Sequence, residues 1–268
     1  MRLWPLLRLT AGFFAALCAL PAAQANFSFA ISPPRFELSV KPGARTRQVI
    51  EISNAAPRAN TLLIRTADWA LRPDLAVEFQ DELQPGSCRP WVAIERRELV
   101  VPPRQPYRFR FEVAPPADQA PVECRFAILL EGKDPSYAGE TGSVPIGARV
   151  GVIVYVAVGD VKPELSVTGL RTEMRAGVPT AVLDIQNTGT AHGRLEGFLT
   201  GTDAKGQVLD VNPANTPVLP GETRSVPLSL STRGTDQPAT NVAFPLTVKG
   251  TLEWGKGRKT QIEHQFTQ

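Results

Sequence analysis

Hydrophobic and polar residues alternate with a period of two along most of the chain, in short runs separated by clusters of Pro, Gly, Asn and Asp. Arg35 to Val40 alternates, as do Gln48 to Ser53, Thr61 to Trp69, Arg108 to Val113 and Cys124 to Leu130. Successive side chains of a strand point to opposite faces, so this pattern predicts half-buried β-strands joined by turns. The strongest run is Arg149 to Val158. Val150, Val152, Val154, Val156 and Val158 share one of its faces, and Ile153, Tyr155 and Ala157 share the other. A strand that is apolar on both faces has to be covered on both. No stretch carries the three-to-four spacing of a helix.

Gly159-Asp160-Val161-Lys162-Pro163 interrupts the pattern, and strand signals restart at Glu164 to Thr168. They continue through Thr180 to Gln186, Arg194 to Thr200, Val208 to Val211, Ser225 to Ser231 and Ala243 to Val248, with a final hairpin around Gly255-Lys256-Gly257. The two halves echo each other. Pro42-Gly43 and Pro220-Gly221 each precede a strand, and Ile52-Ser53-Asn54 matches Ile185-Gln186-Asn187. The expectation is an all-β chain of two immunoglobulin-like sandwiches, residues 26–159 and 160–268, each near the usual size of that fold.

Residues 1–25 read as a cleaved export signal. Arg2 and Arg8 supply the positive start, Leu9 to Leu20 a 12-residue apolar stretch, and Ala23-Gln24-Ala25 the small residues of a cleavage site, so that the mature chain begins at Asn26. A bilayer needs about 20 apolar residues to be crossed, so no membrane span is expected and the destination is the periplasm. Cys18 leaves with the signal. The two remaining cysteines, Cys88 and Cys124, then lie in a compartment that permits disulfides and are expected to pair. A redox or metal pair is the alternative, but the chain has no C-x-x-C and only His192 and His264 to assist.

Composition narrows the functions. With 25 Pro and 21 Gly long helices are disfavoured, while 43% hydrophobic residues suffice for a core. The formal charge of +3 falls to +1 (27 cations against 26 anions) once Arg2 and Arg8 are removed, which disfavours nucleic acid as a partner. There is no H-E-x-x-H, no G-x-S-x-G and no Cys and His pair to act as nucleophile and base, so no catalytic residues, metal or cofactor are expected. His192 and His264 read as surface side chains. Lys256, Arg258 and Lys259 read as a solvated hairpin tip, and Trp69, Trp91 and Trp254 as packing residues.

Ile31-Ser32-Pro33-Pro34-Arg35-Phe36-Glu37-Leu38, a Pro-Gly turn and Val49-Ile50-Glu51-Ile52-Ser53-Asn54 resemble the opening of periplasmic pilus-assembly chaperones of the PapD-like family. Val101-Pro102-Pro103, Tyr107 to Val113 and Pro115 resemble its fourth and fifth strand region. Cys124 to Leu130 is similar to the sixth strand, and the Val-rich run through Tyr155 to the seventh. The resemblance implies two sandwiches meeting at an angle, and a sixth and seventh strand that bind a pilin-like subunit lacking its own last strand, by β-augmentation. It implies a strand-donating face of Val144, Ile146, Ala148 and Val150. It also implies a basic pair that anchors the subunit's terminal carboxylate, with Arg35 in the first strand and a second position near Arg149 or Gly151, taken as Arg149. The expected partners are pilin-like subunits and an outer-membrane usher, without a nucleotide. The competing reading is a structural or adhesive two-sandwich protein that never binds an incomplete subunit.

Overall fold

The computed structural model describes residues 29–133, 149–255 and 257–268. Seventeen strands and a single 3-10 turn, Arg89–Trp91, make up the regular structure of these residues. The first ten strands are β1 (Phe29–Ser32), β2 (Arg35–Val40), β3 (Thr46–Asn54), β4 (Asn60–Leu71), β5 (Val77–Gln80), β6 (Val92–Ile94), β7 (Glu98–Val101), β8 (Pro106–Val113), β9 (Val122–Gly132) and β10 (Arg149–Val158). They form one sandwich. Its four-stranded sheet has the order β1-β3-β8-β6, and its six-stranded sheet the order β2-β10-β9-β4-β5 with β7 beside β4.

The chain changes sheet between β1 and β2. Pro33 and Pro34 stand at the crossing and have no N–H to donate to a ladder, so neither strand can continue through them. β1 lies antiparallel to β3, whereas β2 runs parallel to β10, with Arg35 level with Ile153 and Val40 level with Val158. Between the sheets Ile50, Ile52, Phe109, Phe126, Ile128, Leu130, Val154 and Val156 are sealed from solvent. Each such side chain contributes roughly 1.5–3 kcal/mol relative to exposure. Phe36, Phe111 and Phe126 meet edge to face through this core, with ring centroids 5.2 and 6.4 Å apart. Cys88 and Cys124 are joined there, their Cα atoms 5.9 Å apart.

β10 is covered on both faces, as its two-sided apolarity requires. Val152, Val154, Val156 and Val158 face the sandwich core. On the other side Tyr155 and Ile153 belong to a second apolar layer with Ala67, Trp69, Leu71, Phe79, Ala127, Leu129 and Leu219. Leu219 comes from the second half of the chain, so this layer is also where the halves meet.

The second sandwich comprises β11 (Leu165–Arg175), β12 (Val178–Asn187), β13 (Glu196–Thr202), β14 (Val208–Pro213), β15 (Thr223–Thr232), β16 (Leu246–Trp254) and β17 (Arg258–Phe266), ordered β11-β12-β15-β14-β13-β16-β17. β15 serves both of its layers. Thr223 to Pro227 pair with β12 and Leu228 to Thr232 with β14, and Pro227 stands where one partner gives way to the other.

The echo between the halves has a physical basis. Asn54 and Asn187 end the second strand of the ladder in each sandwich and are almost wholly buried. Asn54 Nδ2 donates to the carbonyls of Arg58 and Val101, and its Oδ1 accepts from Ala56 N–H. Asn187 Nδ2 donates to Ala191 and Val218, and its Oδ1 accepts from Gly189 and Glu164 N–H. Each amide closes its own turn at the second and fourth following residues and ties it to a segment distant in sequence, Asn54 to the end of β7 and Asn187 to Val218.

Candidate functional site

The outer face of the six-stranded sheet carries polar side chains toward the second sandwich. Alternation along β2 turns Arg35 and Glu37 outward, beside Ile153 and Tyr155 of β10, while β9 places Glu123 and Arg125 on the same side. His192 and Arg194 come from the connection between β12 and β13. His192 stacks on Tyr155 with ring centroids 3.8 Å apart and planes 20° apart. Glu123 accepts the backbone N–H of His192 at 2.7 Å and contacts its Nδ1 at 2.8 Å, which fixes the ring. The expectation of a surface His192 is corrected: its side chain is 8% exposed, because the stacked Tyr155 and the Glu123 carboxylate enclose it.

The Arg194 guanidinium lies over the Tyr155 ring, 5.9 Å from its centroid, and donates to the Asn215 carbonyl at 2.8 Å. Burial lowers the Arg194 pKa, and the charge of Arg35 works in the same direction. Burial also pushes the Tyr155 phenol up to about 12, so the ring stays neutral across the physiological range. Glu37 sits among these groups. Its Oε1 is 3.0 Å from Arg35 Nε, 3.6 Å from Arg194 Nε and 3.6 Å from His192 Nε2. A little further along the junction, Arg224 donates to the carbonyls of Arg72 and Leu71. What this arrangement can do chemically is hold an anion between guanidinium groups supplied by both sandwiches.

Arg35 therefore stands at the junction. Arg149 lies level with Glu131, 3.3 Å from its carboxylate, and is four residues from Ile153, the residue level with Arg35. At the rise of a β-strand this sets the two backbone positions ~13 Å apart along β10. The alternative position, Gly151, is covered by Phe79 of β5, whose ring would lie 2.3 Å from any Cβ placed there. Val150 continues the inward face of β10 and is half-buried, while Val144, Ile146 and Ala148 lie outside the described residues.

The cation that does approach Arg35 is Arg194, which strand reading of the sequence did not single out. The signal available was the pair of alternating dipeptides, Arg35-x-Glu37 and His192-x-Arg194, each placing two polar groups on one face of an extended segment.

No family model matches the sequence, and no curated protein does. Solved fimbrial chaperones resemble it. The class 5 fimbriae chaperone CfaA is 11% identical, with 90% of this chain and 99% of that one covered at a TM-score of 0.47. The E. coli chaperone DraB is 14% identical, covering 89% and 98% at 0.43. The chaperone–tip adhesion subunit complex CsuC–CsuE from Acinetobacter baumannii gives 12% identity, 89% and 98% coverage, and 0.44. Among the described residues no helix is long and apolar enough to cross a membrane, and no three His, Cys, Asp or Glu gather as a metal site would need.

Proposed function

We propose that this chain is a periplasmic chaperone of surface-fibre subunits, which holds an incomplete β-sandwich by lending it a strand edge and anchors the subunit's terminal carboxylate at Arg35 before handover to an outer-membrane usher. One observation carries the reading. β9 pairs with the whole of β10, but β2 covers only Ile153–Val158, so among the described residues the leading end Arg149–Val152 has no strand on its second side. Backbone groups on such an edge are a template for another chain, and soluble proteins retain one where it has a use. The edge continues the alternating face on which Val144, Ile146 and Ala148 stand in the sequence. Arg35 lies one strand away from it, at the place where β2 takes over the pairing.

The test is to recover the tagged protein from periplasm and identify by mass spectrometry what travels with it. Sandwich subunits lacking their final strand are expected. Arg35→Ala and Ile146→Asp should each release them, while unfolding stays within about 1 kcal/mol of the parent for Arg35→Ala, whose ion pair with Glu37 is solvent-accessible. Absence of such subunits, or their full retention by both variants, would overturn the proposal.

A further inference from the structure

Phe198 is the most exposed large apolar side chain among the described residues, at 89%. It stands within β13, which lies between β14 and β16, so it meets solvent from the middle of a sheet and not from a loop tip. Alternation sends Leu199, Leu209 and Val211 into the core and turns Phe198, Thr200, Asp210 and Asn212 outward. A lone exposed apolar residue needs no explanation by itself. This one lines a cleft of about 420 Å³, within the usual size range of ligand sites. β14 provides its floor through Asp210 and Asn212, with Phe198 and Thr200 on one side and the turn Gly234-Thr235-Asp236 after β15 on the other. That turn is held in place: Gly234 N–H donates to Asp210 Oδ2 at 2.7 Å, Thr232 N–H to the Gln237 carbonyl at 3.0 Å, and Thr235 Oγ1 to the Thr232 carbonyl at 3.0 Å. Both sides of the cleft are therefore formed before any ligand arrives.

We infer that this cleft is a saccharide site, which takes an uncharged pyranose with its C–H face on Phe198 and its hydroxyls on Thr200, Asp210, Asn212 and Asp236. A phenyl ring carries a negative face, which attracts the slightly positive C–H bonds along one side of a sugar ring. Sugar hydroxyls both donate and accept, so they need a lining that does both. Asn212 supplies an amide, Thr200 a hydroxyl, and Asp210 and Asp236 carboxylate oxygens. Among the described residues the side chains of Thr200, Asn212 and Asp236 make no hydrogen bond within the protein, and Asp210 uses only Oδ2. An anion would face both carboxylates, while Lys249, level with Thr200 on β16, keeps them from making the face a trap for cations. Neither Arg35 nor β10 contributes to the cleft, so the inference stands apart from the chaperone reading.

Cellotetraose and N-acetylchitotetraose, chains of neutral pyranoses with open C–H faces, serve as probes, and tetragalacturonate and tetralysine as their charged counterparts. Each is titrated into the unaltered full chain with its phenylalanine rings labelled for NMR. At least one neutral probe should move the Phe198 ring resonances to saturation, and the charged chains should leave them still. Phe198→Ala should weaken binding about tenfold, the value of one good aromatic contact. Phe198→Trp should restore it, since an indole offers a wider face, and Asn212→Ala should weaken it by removing the amide. Phe198 and Asn212 are both exposed, so the urea midpoints of all three variants should match that of the parent.

Ring resonances that stay still with both neutral probes at millimolar concentration, or equal binding by the parent and Phe198→Ala, would overturn the inference. A charged chain that moves them as strongly as the sugars do would overturn it as well, since the cleft would then be reading charge. Recovery of fibre subunits from periplasm, or its failure, leaves each of these results unchanged.

Discussion

Two asparagines, Asn54 and Asn187, carry more of the fold than their size suggests. Removing the Asn187 amide would leave the buried Ala191 carbonyl and the half-buried Gly189 and Glu164 N–H groups without this partner, and the Val218 carbonyl with only Gly193 N–H. Asn187→Ala should lower stability by about 2–3 kcal/mol, the cost of stranding buried polar groups. Asn187→Asp is nearly isosteric, yet it turns a carboxylate oxygen toward two carbonyls and should be no milder. Urea unfolding of both variants checks this, and a loss below about 0.5 kcal/mol in either, the level of an ordinary surface change, would contradict it. Asn54 is the control in the other half, with three hydrogen bonds of the same pattern.

Among the elements, β10 shows how one small residue can be set by its neighbours. Gly151 lies on the outer face under Phe79, and Val at this position would drive a side chain into that ring. Gly151→Val should therefore lift β5 from the sheet and cost about 1–3 kcal/mol, as overpacking does, and Phe79→Ala in the same chain should recover some of the loss. A double-mutant cycle in denaturant measures the coupling, and simple additivity would rule out the contact as the cause. The same strand shows what was legible in advance. Arg149–Val158 and Arg35–Val40 form strands with the very bounds their alternation predicts, because six or more residues of period two leave little else to choose. β1, β5, β6 and β7 went unread, being three or four residues long, too short to display a period. Arg35 was singled out only by the resemblance of the segment Ile31 to Leu38, not by its own pattern. Its meeting with Arg194 was not legible, because that depends on how two separately folded sheets abut, which no local pattern records. Nor did any such pattern record that Arg149 pairs with Glu131 of β9.

At the scale of the whole molecule the two sandwiches are stabilised unequally. The Cys88–Cys124 bridge closes a loop of 36 residues within the first and leaves the second without a covalent tie among the described residues. Reduction should destabilise the first sandwich by about 3–4 kcal/mol in the loop-entropy account and leave the second unchanged. Calorimetry with and without dithiothreitol is expected to show one transition moving down in temperature and one standing still, and two unmoved transitions would mean that the bridge does little. The parallel pairing of β2 with β10 has a mechanical consequence. A pull between the start of the chain and the second sandwich draws β2 toward its Arg35 end and β10 toward its Val158 end, in opposite directions along one axis. The six paired positions then bear the load together in shear and cannot open in succession like the teeth of a zipper.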